Sequence, residues 1–423
     1  MKWFRFHLVV LGLWMAVPTL ADVTDSLSTF TDSVQKGSWA VEVAGNASYM
    51  LHGGPYNKRI LHSYGTSYYD VRLKWQAAPD TRNAYDQAWN RPKLEAGVAC
   101  GDFSHVHIYG EKTPYESKIG QMWTLYAGVQ VDFLRKNRWD IGVSVQNGAG
   151  VCLHPYDENK NVDQEVIGSA LSIYVAMGIY GSYRLSPRWS VSASLDFRHY
   201  SNGTLDRPNL GANTIGPTLA VSRSFTPQPL RQENVHTTDY ECNTITEGGG
   251  KKYQPFYVET LVGLGMKALI DDFNVYHSKH NPVYGFFTTM VAPMWRYHQI
   301  HASGVGIDYS YADYVYNIRR LDQIQKVDSK YSPHILGMSL RHEVFYRNMS
   351  VNVGVGAYLT KKTGHTAETE DSPIYQHVSL RYSLPCTDNR PFMGYNVKAH
   401  HFSKVDCVQL TVGWRWQKRK HKS

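Results

Sequence analysis

Hydrophobic residues recur with a period of two along most of the chain. From Ile167 to Tyr183 the odd positions Ile167, Leu171, Ile173, Val175, Met177 and Ile179 are apolar, with Gly168, Ser172, Gly178 and Ser182 between them. The same alternation runs through Leu125, Ala127, Val129, Val131 and Phe133, through Trp139 to Val145, through Val351 to Leu359, and through Val408 to Trp416. Stripes at a spacing of three or four are nearly absent, so the pattern predicts strands with two chemically different faces. A soluble sandwich would alternate in the same way. Two features favour a transmembrane antiparallel β-barrel: several strands run past ten residues, where soluble strands average about five or six, and Trp or Tyr cluster near strand ends as interfacial girdles do. Closure into a barrel pairs every backbone polar group, as lipid demands.

Connection lengths orient the barrel. Tight polar turns at Arg135-Lys136-Asn137-Arg138, Leu185-Ser186-Pro187-Arg188, His298-Gln299 and Arg347-Asn348 alternate with long connections after Cys152, Tyr200, Asp271, Tyr311 and Thr360. Outer-membrane barrels keep short turns on the periplasmic side and long loops outside. The chain supplies about 14–16 strands. One closed barrel is the simpler arrangement; an eight-stranded barrel plus a second β half is the alternative, because the polar segment 226–252 divides the strands into 22–225 and 253–417.

Composition agrees with this reading. Charged residues are 19% of the 423 and aromatics 13%, with 30 Tyr. These tyrosines read as girdle residues. No apolar stretch approaches the roughly 18 residues of a spanning helix. Residues 1–21 carry Lys2 and Arg5, an apolar run from Leu8 to Val17, and Thr19-Leu20-Ala21. This has the form of a signal peptide cleaved near Ala21, and its loss lowers the formal charge from +8 to +6 by removing two cations. Secretion excludes nucleic acid as a partner despite a pI near 9.0. Cys100, Cys152, Cys242, Cys386 and Cys407 have no CxxC spacing, so scattered cysteines with at most an incidental disulfide are expected.

One strand ends its apolar face with chemistry. The odd positions Trp189, Val191, Ala193, Leu195 and Phe197 continue into His199 and Ser201, while Ser190, Ser192, Ser194, Asp196 and Arg198 share the other face. Residues two apart on a strand have alpha carbons about 6.6 Å apart, close enough for imidazole to reach hydroxyl. On the next strand Ile215, Pro217, Leu219 and Val221 share a face that Asn213 opens at the same end. Three polar groups thus converge on the lipid side at the extracellular rim. Facing hydrocarbon is costly for such groups unless they bond one another, and the rim is level with the ester bonds of outer-leaflet lipid. Ser201 is the candidate nucleophile, His199 its base, and Asn213 the residue that orients the imidazole.

His199-Tyr200-Ser201-Asn202-Gly203, with Pro208-Asn209-Leu210-Gly211 and Asn213, resembles the signature of the lipid A 3-O-deacylases (PagL) and their longer acyloxyacyl hydrolase relatives. The likeness runs from about Trp39 to Phe225. It implies an outer-membrane serine esterase acting on lipid A in lipopolysaccharide of the outer leaflet, without a cofactor or metal, with Asn209 and the Gly203 amide as oxyanion donors and Asn202 beside them. A homodimer is compatible with it. The family's third triad member is a Glu, where this chain has Asn213. That departure resembles outer-membrane phospholipase A, whose lipid-facing triad is His-Ser-Asn and whose calcium ligand would fall at Asp206; calcium belongs only to that second reading. A structural or transport barrel that keeps a satisfied polar cluster at its rim is the non-catalytic alternative.

His401-Phe402-Ser403 repeats the spacing, but Lys404 follows it and only Asp406 could act as a third member, so it reads as a degenerate echo. His277-Ser278-Lys279-His280 reads as solvated loop, and the basic run 418–423 as a solvated periplasmic tail.

Overall fold

The computed structural model describes residues 37–52, 55–62, 64–79, 81, 83–110, 116–233, 246–247, 251–252, 255–278, 281–385, 391–401 and 404–417. The signal peptide, the basic tail, most of segment 226–252, Cys242, Cys386, Lys279, His280, Phe402 and Ser403 lie outside the described residues. The chain divides into two compact units, residues 1–202 with 208–239, and residues 203–207 with 240–423.

The first unit is a closed antiparallel barrel of eight strands: β1 (Ser38–Leu51), β2 (Gly65–Gln76), β3 (Lys93–Asp102), β4 (Gln121–Asn137), β5 (Trp139–Cys152), β6 (Leu171–Arg184), β7 (Trp189–Ser201) and β8 (Ala212–Ser224). Each pairs with its sequence neighbour, and β1 pairs with β8 to close the ring. The second unit closes in the same way from β9 (Phe256–Ala268), β10 (Val283–His298), β11 (His301–Tyr311), β12 (His334–Tyr346), β13 (Met349–Thr360), β14 (Ile374–Ser383), β15 (Pro391–His400) and β16 (Lys404–Trp416). The expected number of long strands is therefore present, and of the two arrangements expected it is the eight-stranded barrel plus a second β half that forms, the second half closing as a barrel of its own, in place of one barrel of sixteen. The division falls at the polar segment because β8 finds β1 as its partner, leaving no free edge for β9 to extend.

The alternation turns outward as expected. Ile179, Leu195, Leu219 and Val221 are exposed on the first barrel, and Leu264, Ile307, Leu340 and Val412 on the second. In water each such side chain would forgo about 1.5–3 kcal/mol of burial; against acyl chains it forgoes nothing. The interiors are polar and laced with buried ion pairs. Arg135 bonds Asp132 at 2.6 Å, Arg72 pairs with Glu42 at 2.7 Å, and in the second barrel Arg381 bonds Glu259 at 3.0 Å.

The tyrosines are redistributed relative to the girdle expectation. Tyr68, Tyr126, Tyr174, Tyr200, Tyr257 and Tyr375 fill the barrel interiors, where their hydroxyls find partners such as Asp70 at 2.6 Å for Tyr126 and Asp308 at 2.7 Å for Tyr375. Tyrosine suits a narrow lumen because its ring fills volume and its hydroxyl satisfies a buried carboxylate. Exposed Trp139, Trp189, Trp295 and Trp416 supply the girdle at the short-turn ends. Cys100, Cys152 and Cys407 are free thiols.

Candidate functional site

Of the polar residues singled out on β7 and β8, His199 and Asn213 meet at the long-loop end of the first barrel, with Ser201 two residues further along β7. His199 lies opposite Asn213 in the β7–β8 register, and its Nδ1 meets Asn213 Oδ1 at 2.7 Å. Because a carboxamide oxygen only accepts, the imidazole carries its proton on Nδ1 and presents Nε2 as a base. Ser201 is the last residue of β7 and falls on the same outward parity as His199. It is only 5% exposed, so the nucleophile candidate is covered, where the sequence placed it open to lipid.

The connection that follows β7 brings an amide group beside it. Asn209 Nδ2 donates to Ser201 Oγ at 3.2 Å, while its Oδ1 accepts from the Asn202 backbone N–H at 3.2 Å. Both faces of one carboxamide are thereby engaged, which fixes its amino group beside the hydroxyl. Gly203 turns the chain with φ +63°, and Gly211 returns it with φ +79°. That conformation favours glycine because it carries no Cβ. At Gly211 there is a second reason: a Cβ would stand 3.0 Å from His199 Cε1.

Neighbouring loops fix this connection from below and beside. The Leu210 and Gly211 amides donate to the carbonyls of Glu165 and Val166 at 3.1 and 2.9 Å. Val166 and Ile167 are fully buried in an apolar cluster with Met50, Ile60, Phe103, Ile108 and Tyr200. Tyr200, between the two candidates on the opposite face, bonds Thr124 Oγ1 at 2.8 Å inside the barrel. Residues 199 and 201 therefore point outward because residue 200 is anchored inward. Glu165 and Val166 act through backbone carbonyls, which leave no signature in side-chain pattern, and they were not foreseen from the sequence.

Asp206, the residue that a calcium-dependent reading would use, caps the N–H of Arg207 at 3.0 Å. Among the described residues no cluster of three His, Cys, Asp or Glu side chains could hold a metal ion. The echo on β15 is arranged differently from β7. His400, not His401, is the buried histidine, and it points into the lumen, 4.0 Å from Asp406. Asp406 is held by Lys267 at 2.8 Å.

The arrangement at β7 and β8 is that of a hydroxyl, an oriented imidazole base and a fixed amide donor, the components of acyl transfer. Two family models match the chain. One, described as lipid A 3-O-deacylase (PagL), covers residues 50–222, and the other, described as acyloxyacyl hydrolase, C-terminal domain, covers residues 256–418. A comparison with curated proteins gives no match. Among solved structures, the outer membrane enzyme PagL is 15% identical over 43% of this chain and 97% of that one, with a TM-score of 0.26. Neisserial surface protein A is 10% identical over 45% and 98%, with a TM-score of 0.25. An outer membrane channel from Pseudomonas putida F1 is 8% identical over 92% and 98%, with a TM-score of 0.19.

Proposed function

We propose, from the match of the first barrel to the lipid A 3-O-deacylase (PagL) family model and of the second to the acyloxyacyl hydrolase C-terminal domain, that the chain is an outer-membrane ester hydrolase that removes an ester-linked acyl chain from lipid A by serine catalysis. The observation that carries the proposal is the His199–Asn213 hydrogen bond, because it leaves Nε2 unprotonated on the face shared with Ser201.

In this reading Ser201 Oγ attacks the ester carbonyl as its proton passes to His199 Nε2. The imidazolium that forms keeps its Nδ1–H on Asn213. The tetrahedral oxyanion is met by Asn209 Nδ2, already oriented by the Asn202 amide, with the Gly203 amide as the further donor candidate. His199 then protonates the departing sugar alkoxide, and water releases the fatty acid from Ser201 by the same steps in reverse. The position of His199 and Asn213 at the long-loop end supports this reading, since long loops are extracellular in outer-membrane barrels and lipopolysaccharide resides in the outer leaflet. Nothing in the sequence of steps needs a metal.

Purified protein and its Ser201→Ala variant, incubated with lipid A and followed by mass spectrometry, test the proposal. Loss of one acyl chain only with the unaltered protein is expected. Equal loss with the variant, or none with either, sinks it and leaves the barrel a structural or transport element. Asn213 favours one second reading, an outer-membrane phospholipase A. Phospholipid vesicles assayed with and without a calcium chelator distinguish it, since chelator-sensitive release from phospholipid and none from lipid A is its signature.

A further inference from the structure

The lumen of the second barrel contains a buried cation that makes ring contacts but, among the described residues, no ion pair with a carboxylate. Lys398 projects inward from β15 and is 8% exposed. It lines a space of about 20 Å³ together with Arg341, Asp308, Tyr375, His377, Asn396 and Gln409. Asp308 is the carboxylate of that lining, and it is already consumed. It accepts from Arg341 Nη2, from Ser339 Oγ at 2.7 Å and from Tyr375 OH at 2.7 Å.

The remaining polar groups are spent on one another. Ser379 Oγ donates to Asn396 Oδ1 at 2.8 Å, Asn396 Nδ2 to Gln409 Oε1 at 3.3 Å, and Gln409 Nε2 to Thr288 Oγ1 at 2.7 Å. Among the described residues Lys398 Nζ has no hydrogen-bonded acceptor. It lies instead over the rings of Tyr375 and Tyr358, 4.2 and 5.1 Å from their centroids. With Arg341 and Lys398 against Asp308, the lining carries one net positive charge. An ammonium in a low-dielectric interior is costly unless a counter-charge meets it, and ring faces answer only part of that cost.

We propose that this space is a binding site for a single halide-sized inorganic anion, with Lys398 as its principal partner. The size of the space favours the smallest anions, since about 20 Å³ suits a single water-sized occupant. The charge sets the sign. Such an anion neutralises the lining and completes the polar column of the second barrel, independently of the ester chemistry of the first.

Crystals of the full chain soaked in sodium bromide, with anomalous diffraction collected at the bromine edge, test the site. A peak in contact with Lys398 Nζ that disappears in Lys398→Met is expected. Two outcomes overturn the proposal: no peak there in the unaltered protein, which means that water or a neutral amine satisfies the space, or a peak that persists in Lys398→Met. A solution measurement guards against a variant that fails to crystallise. The thermal midpoint of the unaltered protein should rise with bromide relative to gluconate at equal ionic strength, because a ligand bound only to the folded state stabilises it. Lys398→Gln should lose that dependence, while Lys404→Met, at an exposed ion pair with Glu370, should keep it. Equal halide dependence in Lys398→Gln counts against the site.

Discussion

The two barrels share strand number, pairing order and a polar interior inside an apolar coat, yet they finish their seventh strands differently. In the first barrel β7 ends on an outward His199 bonded to Asn213, followed by the long connection Asn202–Gly211 that folds back over Ser201. In the second, β15 ends on an inward His400 that meets Lys361 at 3.3 Å, and β16 begins already at Lys404. His401, the residue on the outward parity, sits in the turn with φ +51°. What the first barrel adds is a loop long enough to return an amide donor to the hydroxyl, and a facing strand whose first outward residue can hold the imidazole.

The second barrel does contain a serine and a histidine in contact on its outward face. Ser303 Oγ and His342 Nδ1 are 2.9 Å apart, at the short-turn end. This pair gives the sharpest test of whether loop and leaflet matter more than the pair itself. Ser201→Ala should lower lipid A deacylation by roughly 10⁴-fold or more, as loss of a nucleophile does. Ser303→Ala should leave it unchanged, because the Ser303 pair lies at the short-turn end, on the inner-leaflet side. Comparable losses in the two variants would break the assignment of chemistry to the first barrel.

The interiors can be compared by stability. Arg381 is fully buried between Glu259 and Glu343, at 3.0 and 3.4 Å. Arg381→Met leaves Glu259 with Arg415 Nε at 4.0 Å as its remaining cationic contact, and removing one member of a buried pair costs about 3–5 kcal/mol. A double variant with Glu259→Leu should recover most of that loss, since apolar replacement of a whole pair is often neutral. Urea unfolding in detergent reads both. If Arg381→Met is as stable as the unaltered chain, the ion cluster is not what holds the second lumen closed.

Within the site the two asparagines should separate. Asn209→Ala removes the donor beside Ser201 Oγ and should cost about 10²–10³ in kcat. Asn213→Ala removes one hydrogen bond to an imidazole that becomes charged, worth about 1.5–3 kcal/mol, or roughly ten- to a hundredfold. If Asn213→Ala costs more than Asn209→Ala, orientation of the base outweighs oxyanion binding.

Most of the architecture was legible because a lipid-facing strand writes its parity into the sequence. His199, Ser201 and Asn213 could be placed on one face from Phe197 and Ile215 alone. Closure was only half legible: period two says which face a strand shows and is silent on which strand it pairs with, so one large barrel and an eight-stranded barrel plus a second half both fitted the pattern until β8 met β1. Tyr68, Tyr126 and Tyr174 misled because composition does not distinguish a girdle ring from a lumen ring. Ile167 continues the period of β6, yet the strand begins at Leu171 and Ile167 packs into the loop cluster instead. An apolar residue beside a strand carries the same signal whether lipid or a loop core receives it.

The smallest expected effect concerns backbone shape. Gly211 holds φ +79° directly over the His199 ring, and Gly285, near the start of β10, has open space where a Cβ would project. Gly211→Ala should strain the loop by about 1–2 kcal/mol and push the imidazole off Asn213, because the new methyl would meet Cε1 at 3.0 Å. The loss should fall on kcat, about tenfold by the 1.4 kcal/mol per decade rule, with KM little changed because Ser201 and Asn209 keep their places. Gly285→Ala should alter neither constant. If the two alanines behave alike, the connection tolerates displacement and the covered geometry at Ser201 is not what the reaction requires. If only Gly211→Ala slows turnover, the difference between the barrels resides in the path of one loop.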